Sequence, residues 1–139
     1  MTTATKLSGR CQCGGVAYAI RGAPQRIYVC HCEECRRQSA SAFGISVIVR
    51  VEDFSVLRGN VKVWSRPTAS GGTLACSFCA DCGSRLFNAV PGEATLSVKG
   101  GLLDPPPDLT GVAHIWVRRK LAGVVIPPDS PQFAEEPDD

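Results

Sequence analysis

Apolar and polar positions alternate in short runs along this chain. Val16, Tyr18 and Ile20 take every second place in VAYAI, and FGISVIV (43–49) is dense in β-branched and apolar residues. Both read as strands. VKVW, TLACSF, RLFNAV, ATLSV and AHIWV continue the pattern. Turn signals punctuate it at Gly14-Gly15, Gly22-Ala23-Pro24, Gly59-Asn60, Gly71-Gly72, Pro91-Gly92, Gly100-Gly101 and Pro105 to Pro107. No long stretch carries a 3.6-residue period. The best helix candidate is one or two turns over EECRRQ, just after Cys32, where acids precede bases as the helix dipole favours. The pattern predicts a mainly β, single domain of short antiparallel sheets with one short helical turn.

At 139 residues, with 44% hydrophobic residues, the chain has the length and composition of one soluble globular domain. No apolar run reaches the roughly 20 residues of a membrane helix. The stretch MTTATKLSGR carries no apolar signal core, so the expected location is the cytoplasm. The eight cysteines are then expected as free thiols or metal ligands, because a reducing compartment opposes disulfides. A disulfide-built exported domain is the competing explanation.

The formal charge of +2 conceals an asymmetry. From Pro127 the sequence PPDSPQFAEEPDD holds five acids and no base, and it reads as an extended or mobile tail. Residues 1–126, the expected domain, carry 15 bases against 8 acids, and residues 127–139 form the expected acidic proline-rich tail. Seven thiolates holding two zinc ions would leave the body at about +4. The bases are scattered, with only Arg118-Arg119-Lys120 in a run of three. That argues for a small anionic ligand and against a nucleic-acid partner. Oligomeric state and the purpose of the tail are not legible in the sequence.

Seven cysteines fall into three close groups: Cys11 and Cys13; Cys30, Cys32 and Cys35; Cys79 and Cys82. Zinc takes four ligands tetrahedrally with Zn–S near 2.3 Å, so bound sulfurs lie about 3.8 Å apart. A C-x-x-C turn followed by glycine brings two sulfurs to that spacing, and so does C-x-C in extended chain. Cys11 and Cys13 with Cys79 and Cys82 therefore make a closed, structural zinc site. Cys30, Cys32 and Cys35 supply three ligands to a second zinc. Its fourth position is either open, as in catalytic sites, or filled by His31, His114 or Cys76; spacing alone leaves both readings standing. His31, between two ligands, is expected to point away from them toward the surface or a neighbouring group. His114, in a strand, is a candidate buried hydrogen-bonding residue, and Cys76 a candidate core thiol.

The segments GRCQCGGVAY, CHCEECRRQSASAF, FCADCGSRL, KGGLLDPP, HIWV and IPPDSPQF, in this order, resemble the glutathione-dependent formaldehyde-activating family, also grouped with the centromere-protein-V domain. The resemblance runs from Gly9 to Phe133. It implies a β-tent fold with two zinc ions, the first held by Cys11, Cys13, Cys79 and Cys82. The second, on Cys30, Cys32 and Cys35, is implied to be catalytic. The implied activity is that of a carbon–sulfur lyase, an S-(hydroxymethyl)glutathione synthase joining a thiol to an aldehyde. Two departures stand out. The family often has glycine near Ala40, and commonly shows Pro-Trp where this chain has Ala122-Gly123.

On that reading a small thiol such as glutathione is the expected substrate, with Arg36 and Arg37 as candidates for its carboxylates. One of the two is expected simply to face solvent. Glu33 and Glu34 are read as helix-start residues, Arg85 as a thiolate neighbour or surface group, and Trp64 and Trp116 as strand core. The alternative function is a non-catalytic two-zinc binding module with protein or nucleic-acid partners.

Overall fold

In a computed structural model, residues 6–137 are described, so residues 1–5 of the expected domain and 138–139 of the expected tail lie outside the description. Eleven short strands and one α-helix make up the described residues, joined by turns and three short 3-10 segments. The mainly β expectation holds, and so does the single helix. No helix among the described residues is long and apolar enough to cross a membrane. The chain divides into two compact units, one of residues 6–26 and 47–107, the other of residues 27–46 and 108–137.

In the first unit, β1 (Lys6–Arg10) and β2 (Ala17–Arg21) pair antiparallel. They are flanked by β10 (Leu103–Asp104) and β5 (Phe54–Arg58) in the order β10-β1-β2-β5. Alternation in VAYAI does what the pattern predicts: Val16, Tyr18 and Ile20 are fully buried. Tyr18 stands opposite Gly9 in the register. A Cβ on Gly9 would meet the phenol carbon of Tyr18 at 2.3 Å, so only glycine leaves room for that ring. Phe54 continues the packing, 5.2 Å from Tyr18 and 4.7 Å from Phe87 between ring centroids.

The same unit contains an antiparallel run in the order β9-β8-β7-β6, formed by β6 (Val61–Pro67), β7 (Thr73–Cys79), β8 (Arg85–Ala89) and β9 (Thr95–Lys99). Leu86, Leu96 and Val98 bury one side chain in two, as a one-sided sheet requires. Strand β6 departs from this. Trp64, expected in the core, is 51% exposed on β6, the end strand of the run.

The second unit holds β3 (Arg26–Cys30), helix α1 (Glu33–Ser39), the start of β4 (Gly44–Arg50) and β11 (Ala113–Ile115). Here β11 pairs with β3 in parallel, Ala113 beside Tyr28 and Ile115 beside Cys30. Residues of the acidic segment bond to β11 and to the residue after it: His114 N–H donates to Pro131 O (2.8 Å), Phe133 N–H to His114 O (2.9 Å) and Trp116 N–H to Glu135 O (2.9 Å). Trp116 also donates its indole N–H to Glu136, and Arg118 pairs with Glu135 at 2.9 Å.

Candidate metal centres

Cys11 follows β1 directly, and Cys13 lies in the turn that returns the chain to β2. That turn closes through Gly14 N–H to Cys11 O, with Gly14 at φ 79°, a conformation glycine adopts without strain. Cys79 ends β7, and Gly83 (φ 81°) donates its N–H back to Cys79 O at 2.9 Å, wrapping the C-x-x-C turn. Gln12 N–H reaches Ser84 Oγ at 2.9 Å and fastens one turn to the other. The sulfurs of Cys11 and Cys13 are then 3.5 Å apart and those of Cys13 and Cys79 3.8 Å. All four, with Cys82, lie within 4.8 Å of one another. These separations match the edges of a zinc–thiolate tetrahedron.

The donors around these sulfurs favour thiolates. Val16 N–H points at Cys11 Sγ (3.2 Å) and Gly15 N–H at Cys13 Sγ (3.4 Å). Cys82 is drawn down to about 5 by the Ser84 hydroxyl, then by the backbone amides of Ser84 and Cys13. Cys13 is nonetheless pushed up to about 12, since the Gly15 amide is outweighed by the neighbouring sulfurs of Cys11 and Cys82. Four crowded thiols cannot all ionise alone, whereas a divalent cation at their centre removes the conflict. The donor set and spacing fit zinc.

The second group is assembled by the join of β3 to α1. Cys30 ends β3 and is buried; Cys32 is the helix N-cap; Cys35 lies in the first turn. Cys32 Sγ accepts from Cys35 N–H at 3.2 Å, a capping role usually filled by a side-chain oxygen. The three sulfurs lie within 4.8 Å of one another, and among the described residues no fourth Cys, His, Asp or Glu joins them. Hydrogen bonds from the thiols of Cys30 and Cys35 draw Cys32 down to about 2. Contact with the sulfurs of Cys32 and Cys35, together with burial, drives Cys30 upward. Gly44 faces Cys35: an added Cβ would sit 3.2 Å from its Cβ and 3.6 Å from its sulfur. The trio fits a cation as the quartet does, with one ligand fewer.

His31 is not at the surface. It is fully buried, its N–H donates to Ile115 O (3.0 Å), and its Nε2 lies 2.9 Å from His114 Nδ1. The parallel pairing of β3 with β11 brings the two rings together across 83 positions of sequence, which no local pattern signals. His114 is the buried hydrogen-bonding residue that its strand position predicted. Burial lowers the pKa of both rings, with His114 and then Lys120 adding to the effect at His31. Cys76 is buried in β7, apart from either group of ligand atoms.

The remaining candidates separate by their contacts. Arg37 is tied to Glu33 one turn earlier, through Nε at 3.1 Å and Nη2 at 3.0 Å. Arg36 has no ion pair among the described residues, and it lines an open cavity of about 440 Å³ with Arg37, Ala40, Ser41 and Leu121. Leu121 was not singled out by its sequence context. Arg85 places its guanidinium 5.5 Å from the ring centroid of Trp64.

The sequence profile described as "Glutathione-dependent formaldehyde-activating enzyme" matches residues 6–119. No curated protein matches the sequence. Among solved structures, the crystal structure of a Rhodobacter sphaeroides protein is similar with a TM-score of 0.55 and 21% identity, covering 91% of this chain and 98% of that one. At that identity the likeness speaks to the fold alone.

Proposed function

This chain belongs to the glutathione-dependent formaldehyde-activating family, and from that premise we propose that it is a zinc-dependent, cytoplasmic carbon–sulfur lyase that joins a small thiol such as glutathione to formaldehyde. The observation that carries this reading is the trio of Cys30, Cys32 and Cys35, with no fourth protein ligand among the described residues. Zinc held there would supply one open position at which a substrate thiol is kept deprotonated at neutral pH. A free thiol, with a pKa near 8.5, is only a few per cent ionised under those conditions. The quartet of Cys11, Cys13, Cys79 and Cys82 would hold a second, closed zinc that fixes the fold.

The chain's own residues supply the rest. Cys30, Cys32 and Cys35 contribute three negative charges, which keep a substrate sulfur electron-rich. That Arg36 lines the cavity without an acidic partner among the described residues supports it as the group that takes a substrate carboxylate. Arg37 is engaged by Glu33 and contributes less. Ala40 and Leu121 give the cavity apolar wall. In the reaction the thiol sulfur bonds to the aldehyde carbon, and the thiol proton ends on the aldehyde oxygen. Nothing is oxidised, and no group leaves.

Native mass spectrometry tests the metal claim: two zinc ions per chain are expected, and one would overturn the two-site reading. Exchange NMR of the thiol–formaldehyde equilibrium tests the activity. The protein should accelerate exchange beyond the already quick uncatalysed rate. Arg36→Ala should raise the KM for glutathione about tenfold, the value of one charge-assisted hydrogen bond, and Arg37→Ala much less. Exchange at the buffer rate, in protein loaded with two zinc ions, would sink the lyase reading.

A further inference from the structure

Strand β6 ends its antiparallel run, so its outer edge has no neighbouring strand among the described residues. Strand alternation puts Lys62, Trp64 and Arg66 on one face and Val63 and Ser65 on the other. Trp64 is 51% and Val63 57% exposed. Arg85 reaches over from the start of β8 and lies above the Trp64 ring. The surrounding sequence is one-signed: from Phe54 to Ala80 there are three bases, Arg58, Lys62 and Arg66, and no acid.

Lysine and arginine on an edge strand commonly serve to keep other strands away. An edge guarded for that purpose alone has no need of a half-exposed tryptophan beside an exposed valine. Charge and apolar surface together indicate a partner that is wanted and selected. The chemistry of that partner follows from three features. An open strand edge offers a row of backbone donors and acceptors, which an extended peptide matches and a sugar–phosphate chain does not. Lys62 and Arg66, two places either side of Trp64, select acidic side chains on that face. A second copy of β6 is disfavoured, because antiparallel self-pairing centred on Trp64 sets Lys62 directly opposite Arg66.

We propose that β6 is a docking strand for an extended acidic segment of a partner protein, added antiparallel or parallel to the open edge. The partner's acids would lie on the Lys62–Trp64–Arg66 face and its apolar residues on the Val63 face. None of Lys62, Val63, Trp64 and Arg66 is a cysteine ligand, and the proposal does not depend on the lyase reading.

The test is an NMR titration of the zinc-loaded full chain with a short peptide of alternating glutamate and valine. Saturable amide shifts centred on residues 61–67 are expected. The double variant Lys62→Glu/Arg66→Glu should bind that peptide about tenfold more weakly, as the loss and reversal of two partly exposed charge contacts implies. It should also gain binding to the corresponding lysine–valine peptide, a rescue that a misfolded variant would not show. Four outcomes would overturn the proposal: no shift on β6, equal binding of the lysine–valine peptide by the native chain, tighter binding of oligothymidylate than of the acidic peptide, or self-association through β6.

Discussion

His31 Nε2 and His114 Nδ1 lie 2.9 Å apart in the interior of the second unit, one ring carried by β3 and the other by β11. A single proton shared between two neutral imidazoles satisfies that contact, and a second proton does not. His114→Ala leaves the buried Nε2 of His31 without a partner and opens a cavity, so it should cost about 2 kcal/mol or more of stability. The sign of the pH effect follows from the lowered pKa values. Below about pH 6.5 the unfolded chain takes up protons that the folded rings refuse, so stability falls as pH falls through that window. His114→Gln, polar but not titratable, should flatten part of this acid limb in urea unfolding with zinc held in excess. An unchanged pH profile in that variant would refute the assignment to His114.

Ala40 ends α1 at φ 51°, ψ 41°, and its N–H closes the last turn onto Arg36 and Arg37 carbonyls. This left-handed position is the one glycine fills at helix ends, because a Cβ there crowds the following carbonyl. Ala40→Gly should therefore stabilise the chain by about 0.5–1 kcal/mol, strain relief exceeding the added freedom of the unfolded state. A higher urea midpoint at unchanged slope is the expected reading; a lower midpoint would mean the strain is absent.

The parts of this molecule that were legible in sequence are those set by short-range geometry. Alternation around Tyr18 fixed a buried strand face, the acid-then-base order of EECRRQ marked α1, and C-x-C and C-x-x-C spacings marked the sulfur groups. What was hidden depends on contacts made across the sequence. Spacing turns His31 away from the ligands, to the surface or to a neighbouring group, and only the parallel partner β11 reveals that neighbour as a second buried ring. Trp64 was expected inside because tryptophan is usually covered, and only strand order reveals that β6 is an edge. The cavity beside α1 draws Leu121 from far along the chain, which no local motif records.

Gly59 lies against the turn that carries the first cysteine pair. An added Cβ would meet Gly15 O at 2.5 Å and Val16 Cα at 2.6 Å, and Gly59 has φ 107°. Both obstacles are backbone, so no side-chain rotation relieves them. Gly59→Ala should cost about 2 kcal/mol or more. Because Gly15 and Val16 donate to the sulfurs of Cys13 and Cys11, it should also speed loss of one zinc to a chelator. Chelation kinetics with two well-separated phases, only one of them accelerated, would bear this out; native kinetics in both would contradict it.

The two cysteine groups should fail in different ways when one sulfur is removed. Cys79 ties the turn after β7 to the turn after β1, through a sulfur 3.8 Å from that of Cys13. If zinc closes that quartet, its binding energy is folding energy, and Cys79→Ser should unfold at markedly lower temperature and purify with less metal. Cys32 caps a seven-residue helix and belongs to a trio with one ligand fewer. Serine keeps a side-chain oxygen suited to the N-cap position, so Cys32→Ser should retain α1 at little cost. That variant should hold one zinc per chain, melt close to the native protein and lose acceleration of thiol–formaldehyde exchange. Zinc content, thermal unfolding and exchange rate, measured on both variants, separate the roles. A Cys32→Ser protein that keeps full acceleration with one zinc would remove the trio from the chemistry, and one that unfolds like Cys79→Ser would make it structural.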